Sequence, residues 1–392
     1  MARARTILVA GAGIGGLAAA VALARGGFRV LVLERAPRLE ELGAGIQLTP
    51  NATRALERLG ALDAVKRRAV EARELIVASC ETGGELARAS LDEAAGRFGA
   101  PWLVTLRADL QGALHSVAGD LVDVEIELGA EVTDFAAHAR GATALTAHAG
   151  KSEEHTGIAL IGADGLWSNV RARLHGEEQP DFHRLVAWRA LVPASALPAA
   201  YAEPIVRLWL GYDAHVVHYP VAGGEQINLV VVVRDDWQSQ SWSVPSQLDD
   251  MPTSIQHWAD MPRTLVQAAK GFARWALADR PPLKHWSEGR VTLLGDAAHP
   301  MLPFLAQGAG AALEDAVALG RHVRHHGDIA DALRAYEAER APRTARLQNA
   351  ARFTGRVYHA RGLLRWARDL KLRWDAEKLI DRHNWIYRYR PI

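Results

Sequence analysis

The hydrophobic pattern at the start of the chain changes period twice within its first thirty-odd residues. A β-branched run from Thr6 to Val9 stops at glycines, an Ala/Leu-rich stretch from Leu17 to Arg25 has helical character, and Arg29 to Leu33 reads as a strand again. This order predicts a parallel βαβ unit. Further on, Leu56, Leu59 and Leu62 fall on one face of a helix expected over 53–68. Residues 74–90 read as paired short strands, and Arg107 to Val117 as another helix. Residues 121–162 then alternate in the manner of strands, until the run Gly157 to Ile161 reaches Gly162.

The texture changes over 181–280. Trp188 to Val192, Ile205 to Gly211, His215 to Val221 and Ile227 to Val233 are strand-like runs parted by turn residues such as Gly223 and Gly224. A separate antiparallel sheet is expected there. Arg290 to Leu294 returns to a short, buried strand of parallel type ending in Gly295-Asp296, with a helix over Gly308 to His322 after it. The first domain is therefore expected to be discontinuous. The last part, 328–392, is helical in composition and carries 13 Arg and 2 Lys against 8 acidic residues. Such a basic end can address an anionic surface; the alternative is a solvated helix face with Trp366, Trp374 and Trp385 packed beneath it.

Composition removes whole classes of function. With 392 residues, 49% of them apolar and 23% charged, the chain has the makings of two or three packed units and not of a disordered segment. The 46 basic and 45 acidic side chains leave a net charge of +1, so no global field draws it to nucleic acid. A single cysteine, Cys80, excludes a disulfide framework and Cys-rich metal centres, no metal is expected, and a reducing, cytoplasmic setting fits. The first apolar run is too short for a signal peptide, and no stretch of about eighteen uninterrupted apolar residues suggests a membrane span.

Gly11, Gly13 and Gly16 stand directly after the first strand and open the first helix. Gly11 suits a tight turn, Gly13 leaves room for a pyrophosphate at the helix N-terminus, and Gly16 lets helix and strand pack closely. Glu34 ends the second strand 18 residues after Gly16, where a carboxylate can bind ribose hydroxyls. Together with Ile14, Gly15 and Arg35 these residues form the candidate dinucleotide site, and the pattern by itself leaves FAD and NAD undistinguished.

Two later stretches carry a resemblance. Gly162-Ala163-Asp164-Gly165 followed by Ser168 and Arg171, and Gly295-Asp296-Ala297-Ala298-His299-Pro300, resemble in order and separation the later signatures of the single-component (class A) FAD-dependent aromatic hydroxylases, of the salicylate, 3-hydroxybenzoate and 6-hydroxynicotinate hydroxylase kind. The resemblance extends through Gly43 to Gln47 with Pro50-Asn51, Arg107 before Asp109-Leu110, Trp188-Arg189, and Gln307-Gly308 leading to Glu314-Asp315-Ala316, which is nearly the whole chain.

It implies an α/β plus antiparallel β fold. A Rossmann-like FAD-binding domain would be assembled from 1–75, 100–180 and 281–327, an inserted substrate-binding sheet from 76–99 and 181–280, and C-terminal helices from 328–392. FAD would be bound, with NADH or NADPH as a transient co-substrate, because no second glycine fingerprint follows the first. By resemblance, Asp296 accepts a ribityl hydroxyl and Arg107 contacts the ribityl or phosphate part, while Gln47 lies near the isoalloxazine and Asp164 serves FAD and nicotinamide. Gly295 and Gly308 belong to the same cofactor set, and Pro303 is placed against the flavin and substrate edge. Plainer readings stand beside these: a surface Arg107, a turn amide at Gln47, a turn-former at Asp164, a helix-preceding Pro303 and a structural His299.

On the substrate side, a strand over His215 to Pro220 would put His215, Val217 and Tyr219 on one face and His218 on the other. In relatives that act on small hydroxyaromatic acids, the matching histidine and tyrosine contact the substrate hydroxyl or line its pocket. His215 would then take or polarise a phenolic proton, enriching the ring carbon to be attacked; alternatively it only bonds locally. Where close relatives carry a polar residue, this chain has Pro303-Phe304, and no arginine for a substrate carboxylate can be picked out.

The implied reaction is hydroxylation of a small hydroxylated aromatic or heteroaromatic acid by NAD(P)H and O2 through a flavin C4a-hydroperoxide. No nucleic-acid or membrane partner is expected, and a homodimer is left open. Rival readings are oxygenation of a non-phenolic compound, by epoxidation or N-hydroxylation, a flavin-binding protein without oxygenase activity, and a plain NAD-dependent dehydrogenase.

Overall fold

The computed structural model describes residues 6–39, 44–148, 151–237, 243–253 and 255–391. Its first sheet has six strands in the spatial order Ser287–Glu288, Val291–Leu293, Ala159–Gly162, Thr6–Ala10, Arg29–Glu34 and Val124–Leu128. All neighbours run parallel except the first pair, a hairpin. Ile7, Leu8 and Val9 are wholly buried, as a central parallel strand covered on both faces requires. The helix Ile14–Arg25 lies against Gly308–His325, and Gly320 permits the approach: a Cβ there would come 2.8 Å from Ala22 Cβ.

A second sheet has eight strands, in the order Ser243–Ser246, Phe272–Asp279, Asp181–Pro193, Gln226–Arg234, Ala214–Val221, Ile205–Leu210, Glu74–Ser79 and Glu85–Ser90. It is antiparallel throughout except for the parallel pair of Ile205–Leu210 with Glu74–Ser79. The early strands 74–79 and 85–90 thus complete a sheet otherwise built from residues 181 to 279. Asn228 ties this sheet to a small three-stranded one, formed by Gly45–Leu48, Leu103–Leu106 and Val70–Glu71: its Oδ1 accepts the Gly45 N–H at 2.7 Å.

Two expectations need correction. The single helix over 53–68 is two, Pro50–Arg58 and Leu62–Lys66, because Gly60 takes φ +64° and turns the chain between them. In the C-terminal segment, Trp366 and Trp374 are not packed beneath the helix Gly362–Trp374 but stand 65% and 83% exposed. The helix before it, Ile329–Tyr358, keeps Arg340 wholly buried, so part of the segment's positive charge is used inside the protein. Among the described residues, no helix is long and apolar enough to cross a membrane.

Candidate active site

Gly11, the Gly162–Gly165 turn and Gly295 follow three neighbouring parallel strands, Thr6–Ala10, Ala159–Gly162 and Val291–Leu293, all at their carboxyl ends. That is where open α/β sheets hold ligands. The turns are bonded together: Arg171, whose N–H is capped by the Ser168 hydroxyl, donates from its guanidinium to the carbonyls of Ala297 and Ala298 at 3.1 and 3.2 Å.

A cavity of about 1150 Å³ opens over these turns and runs to the eight-stranded sheet. It is lined by Gly11, Gly13, Ile14, Gly15, Glu34, Arg35, Gln47, Arg107, Asp164, Gly295, Asp296, Pro303 and Gly308, and at its other end by His215 and Tyr219. Every residue singled out from the sequence for cofactor or substrate borders it except Gly16, which packs beneath. A Cβ on Gly16 would lie 1.9 Å from the Gly11 carbonyl oxygen, whereas one on Gly13 would meet no protein atom and project into open space. Gly11 itself has φ +98°, a conformation in which only glycine is unstrained. Of the Gly43–Gln47 motif, Gly43 lies outside the described residues.

The cavity is chemically suited to FAD. The helices Ile14–Arg25 and Gly308–His325 carry no side-chain cap at their N-termini, which leaves amide donors for a pyrophosphate. Glu34 is held by the N–H groups of Ala12 at 2.6 Å and Ala36 at 2.8 Å, an arrangement that fixes the carboxylate while leaving lone pairs for ribose hydroxyls. Asp296 is exposed to the cavity at the turn Gly295–Ala297. Asp164 accepts the Val170 N–H at 3.1 Å with one oxygen, while the other is buried without a partner among the described residues. Burial raises its pKa above the usual carboxylate value, and a ligand donor on that oxygen would relieve the cost.

The substrate end is mostly apolar, with Leu208, Leu210, Val217, Val230, Val232 and Phe304 on its walls. The strand Ala214–Val221 does alternate: His215, Val217 and Tyr219 face the cavity. His218 is wholly buried on the other side, where its Nδ1 accepts the Trp209 indole N–H at 3.0 Å. Burial, then the nearby His359, hold His215 neutral, far below the ordinary histidine pKa. No described residue bonds its Nε2 or the Tyr219 hydroxyl, and burial pushes that phenol's pKa up. His299 does not line the cavity; its Nε2 meets Asp315 at 2.5 Å behind the flavin turn.

Two groups were missed in the sequence. Arg189, quoted there only as part of a motif, lines the cavity with its guanidinium carbon 5.4 Å from the Trp275 ring centre. Its Nε is buried and has no partner among the described residues. The available signal was strand alternation, since a buried Trp188 puts its neighbour on the opposite face. His359, at the end of a helix 144 residues away, touches His215, and nothing local announces that contact.

Comparison with known proteins agrees with this geometry. A family model described as an FAD binding domain matches residues 4–351. A 3-hydroxybenzoate 6-hydroxylase of Polaromonas naphthalenivorans is 40% identical over 97% of this chain and 95% of its own. Among solved structures, a salicylate hydroxylase substrate complex superposes with a TM-score of 0.83 at 28% identity, over 99% of this chain and 96% of the other. Klebsiella pneumoniae HpxO complexed with FAD and uric acid does so with a TM-score of 0.83 at 29% identity, over 94% and 92%. The chain belongs to this FAD-binding family and is an NAD(P)H-dependent flavoprotein monooxygenase.

Proposed function

We propose that the enzyme hydroxylates a small aromatic or heteroaromatic acid bearing a ring hydroxyl, with His215 as the base that takes the phenolic proton. The observation that carries this reading is the pairing, at the apolar end of the cavity, of a neutral His215 and a Tyr219 whose Nε2 and hydroxyl have no partner among the described residues. A phenol needs an acceptor for its proton and a donor for its oxygen, and these two side chains offer both. Arg189 is the cation for the carboxylate, because an orphaned guanidinium N–H in a buried wall is satisfied by an anion.

Bound FAD would supply hydride acceptance and the activation of O2. The chain would hold its pyrophosphate on the amides after Gly11 and Gly13, its ribose on Glu34, and its ribityl chain near Asp296 and Arg107, with Gln47, Gly295, Pro303 and Gly308 around the ring. Asp164 serves the same group, and Arg35 stands at the rim. The apolar walls keep water from the reacting ring. Residues 1–75, 100–180 and 281–327 form the FAD domain in this reading, with 76–99 and 181–280 as the substrate domain. A cytoplasmic enzyme with O2 as co-substrate completes it.

The test is NADH and NADPH oxidation by the purified protein with 3-hydroxybenzoate, salicylate, 4-hydroxybenzoate, anthranilate and 6-hydroxynicotinate, with product and peroxide quantified. Stimulation with a hydroxylated product supports the reading. A yellow protein that none of the acids stimulates overturns it, and the apolar wall at Pro303 and Phe304 would then favour a non-phenolic substrate.

A further inference from the structure

Behind the substrate end lies a second, smaller pocket of about 320 Å³, open to the outside and rich in cations, with Arg234, Arg352, Arg356 and His359 on its walls. Phe304 borders both spaces. His215 lines only the inner one and His359 only the outer one, and the two rings join across the wall, Nδ1 of His215 to Nε2 of His359 at 3.0 Å. Gly355 makes the junction: a Cβ there would lie 2.4 Å from Phe304 Cε2, so only its absence lets Phe304 settle against the helix end that carries His359.

The two facing nitrogens share one proton, carried either on His215 Nδ1 or on His359 Nε2. With the proton on His215 Nδ1, His359 Nε2 is the acceptor and the lone pair of His215 lies on Nε2, toward the cavity. Burial disfavours a charge on either ring. It lowers His359 to about 4, with Arg234 and Arg368 acting in the same sense and Asp213 against them. A proton taken up by His215 therefore has to move on.

We propose that His359 is a positioning and relay residue: it fixes the tautomer of His215 and passes the substrate's proton to water in the outer pocket. The inference rests on the reading of His215 as base. The phenol O–H bond breaks as His215 Nε2–H forms, His215 Nδ1–H passes to His359 Nε2, and His359 Nδ1–H goes to water. The electron pair stays on the phenolate oxygen and nothing is oxidised. The reverse sequence returns a proton to the product oxygen and resets both rings.

The first arm of the test is nitrogen NMR of FAD-loaded, 15N-histidine-labelled protein, which needs no substrate. The Nδ1–H tautomer of His215 is expected in the wild type and in His359→Gln, whose amide oxygen still accepts, and its loss is expected in His359→Ala. An Nε2–H tautomer in the wild type overturns the proposal. The second arm follows ionisation of bound 3-hydroxybenzoate by stopped-flow absorbance. His359→Ala and His359→Gln are expected to slow it about tenfold or more at unchanged FAD content, with imidazole in solution restoring the rate in His359→Ala by entering the outer pocket. An unchanged rate, or one that imidazole does not restore, overturns the relay. His215→Ala, run alongside, separates the failures: a wild-type rate there removes the base itself, while a slow rate there with a fast His359→Ala removes only the relay.

Discussion

Arg340 and Asp315 form an ion pair from which water is wholly excluded, with Nε to Oδ1 at 2.7 Å; the same guanidinium reaches Glu314 Oε2 at 2.7 Å. Burial alone would raise both carboxyl pKa values, but Arg340, together with His299 beside Asp315 and Arg343 beside Glu314, holds both below the usual range. Asp315 also accepts the Gly295 N–H at 3.2 Å, so the C-terminal helix braces the turn that presents Asp296.

Removing one partner of such a group leaves uncompensated buried charge. Arg340→Leu is expected to cost about 3–5 kcal/mol of stability and to lower FAD content with it. Thermal unfolding and flavin absorbance of the purified variant check both; an unfolding temperature within a degree or two of wild type would mean the pair is not the brace described.

Two glycines in one motif are expected to fail differently. Gly16→Ala collides with the Gly11 carbonyl and should unfold or distort the turn, while Gly13→Val, whose Cβ meets no protein atom, should leave apoprotein stability near wild type yet weaken FAD binding. Asp296→Ala should likewise yield folded, mostly flavin-free protein. Unfolding temperature against flavin occupancy separates the cases, and full occupancy in either Gly13→Val or Asp296→Ala would contradict the cofactor placement.

The glycine turns were legible because backbone demands at Gly11, Gly16 and Gly295 are met by one residue type in a fixed order along the chain. The face of the strand holding His215 and Tyr219 was legible for an equally local reason, the two-residue period. What could not be read depends on contacts between distant segments. His359 reaches His215 only because the helix Ile329–Tyr358 ends at that wall. Trp366 and Trp374 misled because aromatic residues at helical spacing imply a covered face, whereas this helix leaves them outside.

Arg189→Gln is expected to raise KM for hydroxylated benzoates about 10- to 100-fold while hardly changing it for the parent phenols, the loss of one charge-assisted hydrogen bond. Steady-state kinetics with matched acid and phenol pairs measure this. An equal change for both would place Arg189 against the flavin instead of the carboxylate.

His218 ties stability to pH. Burial, then Arg207, bring it to about 3 from an ordinary 6.5, so the folded protein declines a proton that the unfolded chain accepts. Its contribution is complete above 6.5 and is lost as pH falls toward 3, at about 1.4 kcal/mol per unit. In His218→Asn, whose Oδ1 still accepts the Trp209 N–H, the decline between pH 6 and 4 should be flatter by about that slope. Denaturant unfolding at several pH values checks it, and parallel curves would contradict it.

The central claim is that His215 activates a phenolic substrate, and the stoichiometry of the reaction tests it most directly. With an acid that the wild type hydroxylates, product and peroxide are measured per NAD(P)H consumed for the wild type and for His215→Ala. The account predicts that flavin reduction is nearly unchanged in the variant while product falls and peroxide rises to replace it. Unchanged coupling between NAD(P)H and product would contradict the claim.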